Sequence, residues 1–115
     1  MTTSAATSVV ASGSRVFVGG WAIDQGAPSG PGIDAVHVWI YPDAGAGTPF
    51  FAGAATYGVS RPDVGAAFGS RFTPSGYQLD VNGLSPGNYV IAVFAHSTAT
   101  NSFVVVQTRA ITISP

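Results

Sequence analysis

The sequence contains no cysteine, no lysine and no glutamate. Without thiols the chain forms neither disulfides nor thiolate metal sites, and cysteine usage leaves its redox compartment open. Charge of either sign is scarce: 8% of the 115 residues are charged, and four arginines against five aspartates leave a net charge of −1. Such a chain has no basic field with which to gather phosphates, so nucleic acid is not an expected partner. Long hydrophobic runs are missing too. Runs such as Tyr89 to Ala95 fall far short of the ~20 residues that cross a bilayer as a helix, and a soluble chain without membrane insertion is expected. Met1 to Ser4 has neither a basic start nor a long apolar stretch, so no export signal is legible there, and an exported parent would carry its signal elsewhere.

What the chain has in quantity is turn formers between strand formers. Fifteen glycines and eight prolines punctuate short runs of Val, Ile, Phe, Tyr and Trp at spacings of about ten residues, the pattern of an all-β chain. One domain is expected, because a chain of this length buries roughly 65% of the surface it exposes when unfolded. Residues 1–8, rich in Thr, Ser and Ala, are expected to be a flexible N-terminal segment, which leaves 9–115 as a single antiparallel sandwich of about seven strands. The strands are placed at Val9 to Ala11, Arg15 to Ala22, Ala35 to Tyr41, Phe50 to Tyr57, Tyr77 to Val81, Asn88 to His96 and Phe103 to Ile113, where β-branched and aromatic residues concentrate. Gln25 to Gly32, with Pro28 and Pro31, and Asp43 to Thr48 read as loops, and no internal repeat is visible.

One stretch departs from this grammar. In Ser60-Arg61-Pro62-Asp63-Val64 the proline pushes Arg61 out of the α region while itself suiting the first helical position. Arg61 is then the cap position, and Asp63 sits in the first turn, where its charge meets the positive end of the peptide dipoles. Val64, Ala67 and Phe68 follow at helical spacing and Gly69 ends the turn, so a short helical crossover is expected near residues 62–68. A functional Arg/Asp pair is the competing reading, but each residue type here already has a folding reason. Further on, Pro86-Gly87 precedes Tyr89 at the head of a long strand. That is the position of the tyrosine corner of immunoglobulin-like folds, and Tyr89 is expected to be buried.

Four segments together, GGWAID from Gly19, IDAVHVWIYP from Ile33, YGVSRPDVGAAFG from Tyr57 and SGYQLDVNGLSPGNYVIAVFAHS from Ser75, resemble the bacterial immunoglobulin-like repeat domains of secreted and cell-surface proteins. The likeness runs from about Gly19 to the C-terminus. Its motifs are short, and their order is more specific than any one of them. It implies an immunoglobulin-like sandwich repeated in tandem on an extracellular bacterial protein, beside enzymatic or adhesive domains that would be its partners. It implies no catalytic residue.

Strand alternation supplies the candidate site. Val36, Val38 and Ile40 fall on one face of their strand, and His37, Trp39 and Tyr41 on the other, by the period-two rule. If Tyr89 points inward, so do Ile91, Val93 and Ala95, and Val90, Ala92, Phe94 and His96 point outward. In a sandwich of this type the two strands are neighbours. An outer face carrying His37, Trp39, Tyr41, Phe94 and His96 offers rigid amphipathic area to a sugar ring or a protein. The bland alternative is that Phe50 to Gly69, with Val64 and Phe68, folds over this face as a second small core. Trp21 reads as a packing residue.

Metal and catalytic readings are weaker. Two histidines without cysteine do not make a zinc set, and Asp24, Asp34, Asp43, Asp63 and Asp80 are scattered through separate turns rather than gathered in a calcium loop. No cofactor and no metal is expected. No nucleophile elbow accompanies the serines, and a small sandwich leaves little room for two carboxylates held about 5 to 9.5 Å apart in a glycosidase cleft, so the expectation is a protein that is not an enzyme. Three functions remain: a structural or adhesive module, a carbohydrate or cell-wall binding module using the aromatic face, and a protomer that self-associates by strand addition at its sheet edges, which no lysine blunts.

Overall fold

A computed structural model describes residues 3–115. These residues are all-β apart from one α-helix and two single turns of 3-10 helix. Its strands are β1 (Thr3–Ser12), β2 (Arg15–Asp24), β3 (Ile33–Tyr41), β4 (Phe50–Ala54), β5 (Thr56–Ser60), β6 (Pro74–Val81), β7 (Gly87–Ser97) and β8 (Ser102–Ile113), and the helix α1 (Pro62–Phe68) lies between β5 and β6. They form two four-stranded sheets in the orders β1-β2-β6-β5 and β4-β3-β7-β8, all pairs antiparallel. This is the expected sandwich with its short helical crossover, built from eight strands rather than about seven.

The extra strand comes from a sheet switch. Phe50 to Tyr57, expected as one strand, is divided at Ala55: β4 pairs with β3 in one sheet and β5 with β6 in the other. Ala55 N–H donates to Val36 O at 2.8 Å while the chain crosses. Gly53 and Gly58, at φ 151° and 99°, sit on either side of the crossing, backbone that side chains rarely adopt.

The expected flexible segment is the second correction. Residues 3–8 are not frayed but belong to β1, which pairs with β2 from Thr3↔Asp24 to Ser12↔Arg15 through a two-residue turn with Gly13 at φ 61°. Thr, Ser and Ala carry little apolar alternation, so pattern reading passes over them. What holds them is the backbone ladder, the inward Thr7 hydroxyl bonded to the Tyr77 hydroxyl, and Ala5 and Val9 packed on the core. Met1 and Thr2, the rest of that segment, lie outside the described residues.

The core fills the space between the sheets with Val16, Val18, Ala22, Val36, Val38, Ile40, Tyr77, Ile91, Val93 and Ala95. One inward position of β2 and one of β7 are polar: Asp24 and Ser97, at the strand ends, are fully buried. Ser97 Oγ donates to Asp24 Oδ2 at 2.6 Å, and Asp24 Oδ1 accepts from Gly26 N–H at 2.9 Å. A buried carboxylate so bonded fastens the 25–32 loop to the other sheet.

The helix closes a second, smaller core on the far side of the first sheet. Val64 packs with Ile23 and Phe72, and Trp21 lies against them, its ring 5.5 Å from that of Phe68.

Candidate functional site

The pleat divides β3 as its alternation requires: Val36, Val38 and Ile40 are 1%, 0% and 0% exposed, whereas His37, Trp39 and Tyr41 are half-buried on the opposite face. In β7, Ile91, Val93 and Ala95 point inward and are buried. The two strands are hydrogen-bonded neighbours, with His37 opposite Phe94 and Trp39 opposite Ala92. The structure therefore brings His37, Trp39, Tyr41, Phe94 and His96 together on one outer sheet face. Ala92 shares that face and is nonetheless buried, because its methyl group lies below the taller side chains beside it.

Three further residues complete the face. Phe51 on β4 stands opposite Trp39, and Phe103 and Val105 on β8 stand opposite His96 and Phe94. They are 48%, 45% and 56% exposed. Ring centroids run in sequence from Trp39 to Phe51 at 5.4 Å, Phe51 to His37 at 5.2 Å, His37 to Phe103 at 4.6 Å and Phe103 to His96 at 4.9 Å, all within the range of attractive ring pairs. At one end of this run His96 Nδ1 lies 2.6 Å from Asp34 Oδ1. Beside it is a groove of about 340 Å³ lined by Tyr41, Gly45, Val90, Ala92, Phe94, Val105 and Thr108. The turn at Asp43–Gly45 borders it, and Gly45, at φ 99°, approaches Val90 so closely that a Cβ would sit 3.2 Å from its methyl carbon.

Residues 50–69 do not cover this face. β4 extends the sheet sideways, and the switch at Ala55 carries β5 and α1 to the other sheet, where Val64 meets Ile23 and Phe68 meets Trp21 instead. The second small core exists, but over the opposite sheet.

The remaining motif residues have local roles. Arg61 is non-helical at φ −129° and precedes Pro62 at the helix start. Its guanidinium makes two bonds to Asp63, at 3.0 and 2.9 Å, and these hold the Asp63 carboxyl below its ordinary value. Tyr89 is buried and donates from its hydroxyl to Ser85 O at 2.7 Å, closing the Pro86-Gly87 turn against its own strand. Asp80 pairs with Arg15 at 3.0 Å. Among the described residues no cluster of three or more His or Asp side chains is placed to hold a metal ion, and no helix is long and apolar enough to cross a membrane.

No protein-family model matches the chain. No curated protein matches it either. A crystal structure of a hypothetical protein from Pyrococcus horikoshii OT3 aligns with it at a TM-score of 0.49 and 11% identity, over 99% of this chain and 88% of that one. The chemistry of the site is therefore read from its own residues.

Sequence reasoning missed Phe51, Phe103 and Val105. Phe103 and Val105 were accessible in principle, since a short turn after Ser97 folds the next strand back beside β7 and repeats its parity. Phe51 required the β3–β4 register, which shifts between Val38 and Trp39.

Proposed function

We propose that the domain is a non-catalytic structural or adhesive module of a bacterial extracellular protein, one unit of a tandem array, and that the outer face of the β4-β3-β7-β8 sheet is its contact surface. The observation that carries the contact reading is the unbroken run of rings from Trp39 to His96, which includes exposed Phe51 and Phe103 and has exposed Val105 beside it. A contiguous apolar patch of this kind on a charge-poor chain favours contact with another surface. The extracellular bacterial setting is supported by the order of the GWAID, YGVSRPDV and LSPGNY motifs.

The test uses Trp39 as reporter. In a Trp21→Phe background its emission is expected to shift as the chain is concentrated or as cell-wall polysaccharides are added. Emission that stays constant under both conditions overturns the contact reading.

A second reading, carbohydrate binding, is favoured by the half-exposed indole of Trp39 next to Tyr41. It expects calorimetric heat with cellulose, chitin or peptidoglycan fragments that Trp39→Ala abolishes. Strand addition is less favoured: Thr7 O on β1, an outermost strand of one sheet, accepts from Arg109 on β8, an outermost strand of the other, so the two edges shield one another.

A further inference from the structure

We infer that the occupant of the aromatic face is a second copy of this chain, an inference that rests on the contact reading above. The face holds both halves of a self-complementary interface. One half is a ridge, the rings of Phe51, His37, Phe103 and His96 that cross the sheet. The other is the groove of about 340 Å³ beside it, with Ala92, only 3% exposed, as its floor.

The Phe103–His96 end of the ridge and the groove are displaced along the strands. His96 and Ala92 are four residues apart on β7, which is roughly 13 Å of strand. A two-fold axis lying in the interface, crossing the strands near Phe94, superposes Phe103 and His96 of each copy on the Ala92–Thr108 part of the other's groove, with His37 close to the axis. That is an isologous contact, which closes at two copies. It also leaves the strands of the facing sheets nearly aligned, about 10 Å apart, the ordinary geometry of sheet-on-sheet packing.

Polarity and area decide between this occupant and a sugar. Among the residues lining the groove, Tyr41 and Thr108 carry the only polar side-chain groups, so a polyhydroxylated ring would find few side-chain partners there. The Phe103 ring of a second copy carries no such cost. At the end of the ridge His96 enters the groove of the other copy with its ring beside Phe103, while its partner Asp34, with 57% of its side chain exposed, stays at the rim. Strands of 5, 9, 11 and 12 residues about 4.8 Å apart present a footprint of roughly 500 Å² per copy, or roughly 1,000 Å² in all, at the lower limit for a specific but weak pair.

Sedimentation equilibrium of the intact chain from micromolar to millimolar concentration is expected to show a monomer–dimer equilibrium. Val105→Asp would place a charge in the interface and is expected to raise the dissociation constant ~10-fold or more, with an unchanged circular dichroism spectrum, since Val105 is 56% exposed. Val10→Asp, at 58% exposure on the other sheet, is the control and is expected to leave the constant unchanged. A chain that is monomeric at millimolar concentration, or a Val105→Asp variant that dimerises like the parent, overturns the inference. A monomer that still gives heat with a polysaccharide removes the second copy but keeps the contact surface; a monomer with no such response removes both.

Discussion

The two sheets share one core and differ in what lies on their backs. On β2, Trp21 and Ile23 point outward by strand parity, as His37 and Trp39 do on β3. Yet Ile23 is fully buried beneath α1 and the turn at Phe72, whereas Trp39 stays half-exposed beside an uncovered Phe51. The rest of the first sheet's outer face has no run of rings: Ser8, Gly19, Gly76 and Gln78 surround Phe17, with exposed Val10 opposite it and the Arg15–Asp80 pair at one end. An outward aromatic is thus neither a core residue nor a ligand platform by type. The connection that follows decides, and here the β5–α1–β6 connection covers one back and leaves the other open.

Breaking the covered side gives the largest effect. Ile23→Ala leaves a cavity under α1 and is expected to cost about 3 kcal/mol in urea unfolding, within the range for buried Ile. Trp39→Ala on the open face removes a larger side chain but is expected to cost only about 1 kcal/mol. Equal losses at the two positions would show that the second face is covered in solution.

Tyr57 sharpens the comparison through pH. Its hydroxyl donates to Ala22 O at 2.8 Å, and burial, with a smaller contribution from the negative charge of Asp34, pushes its ionisation above the ordinary value of 10.0. Burial pushes Tyr77 the same way, partly opposed by its bond to Thr7 and by Arg109. A group whose folded pKa is raised contributes stability that is fully present below its unfolded value and is lost above it. Stability is therefore expected to be flat near neutrality and to fall as pH climbs past 10.0. Tyr57→Phe should cost about 1 kcal/mol at neutral pH through the lost hydrogen bond and make the alkaline fall shallower. An unchanged alkaline slope would mean that Tyr57 is solvated.

The smallest effect comes from the exposed valines. Val10→Ser and Val105→Ser are each expected to change stability by no more than ~0.5 kcal/mol in thermal melts of the dilute chain. A large loss at Val105 alone would mean that its sheet is stabilised by contact with another copy even when dilute.

How much of this was legible follows from where each constraint is written. The β3 alternation was readable because each apolar residue faces one shared core. The helix start was readable because proline restricts its own backbone and that of Arg61. Of β1 only Val9 to Ala11 was readable, since its Thr/Ser/Ala half advertises no buried face and owes its place to pairing with β2. The division of Phe50 to Tyr57 was not, because both halves are strand-forming and only the positions of the two sheets require the chain to cross at Ala55.

The sequence by itself determined the local matters: strands, turns, the capped helix, and which side of each ribbon faces inward. These follow from backbone sterics and a period of two, which act over a few residues. The tertiary structure alone decided which outer face is covered, that Phe51 and Phe103 join His37 and Trp39, and that a groove lies beside them. Those depend on which strands become neighbours, and neighbours distant in the chain are chosen by the packing of the whole domain.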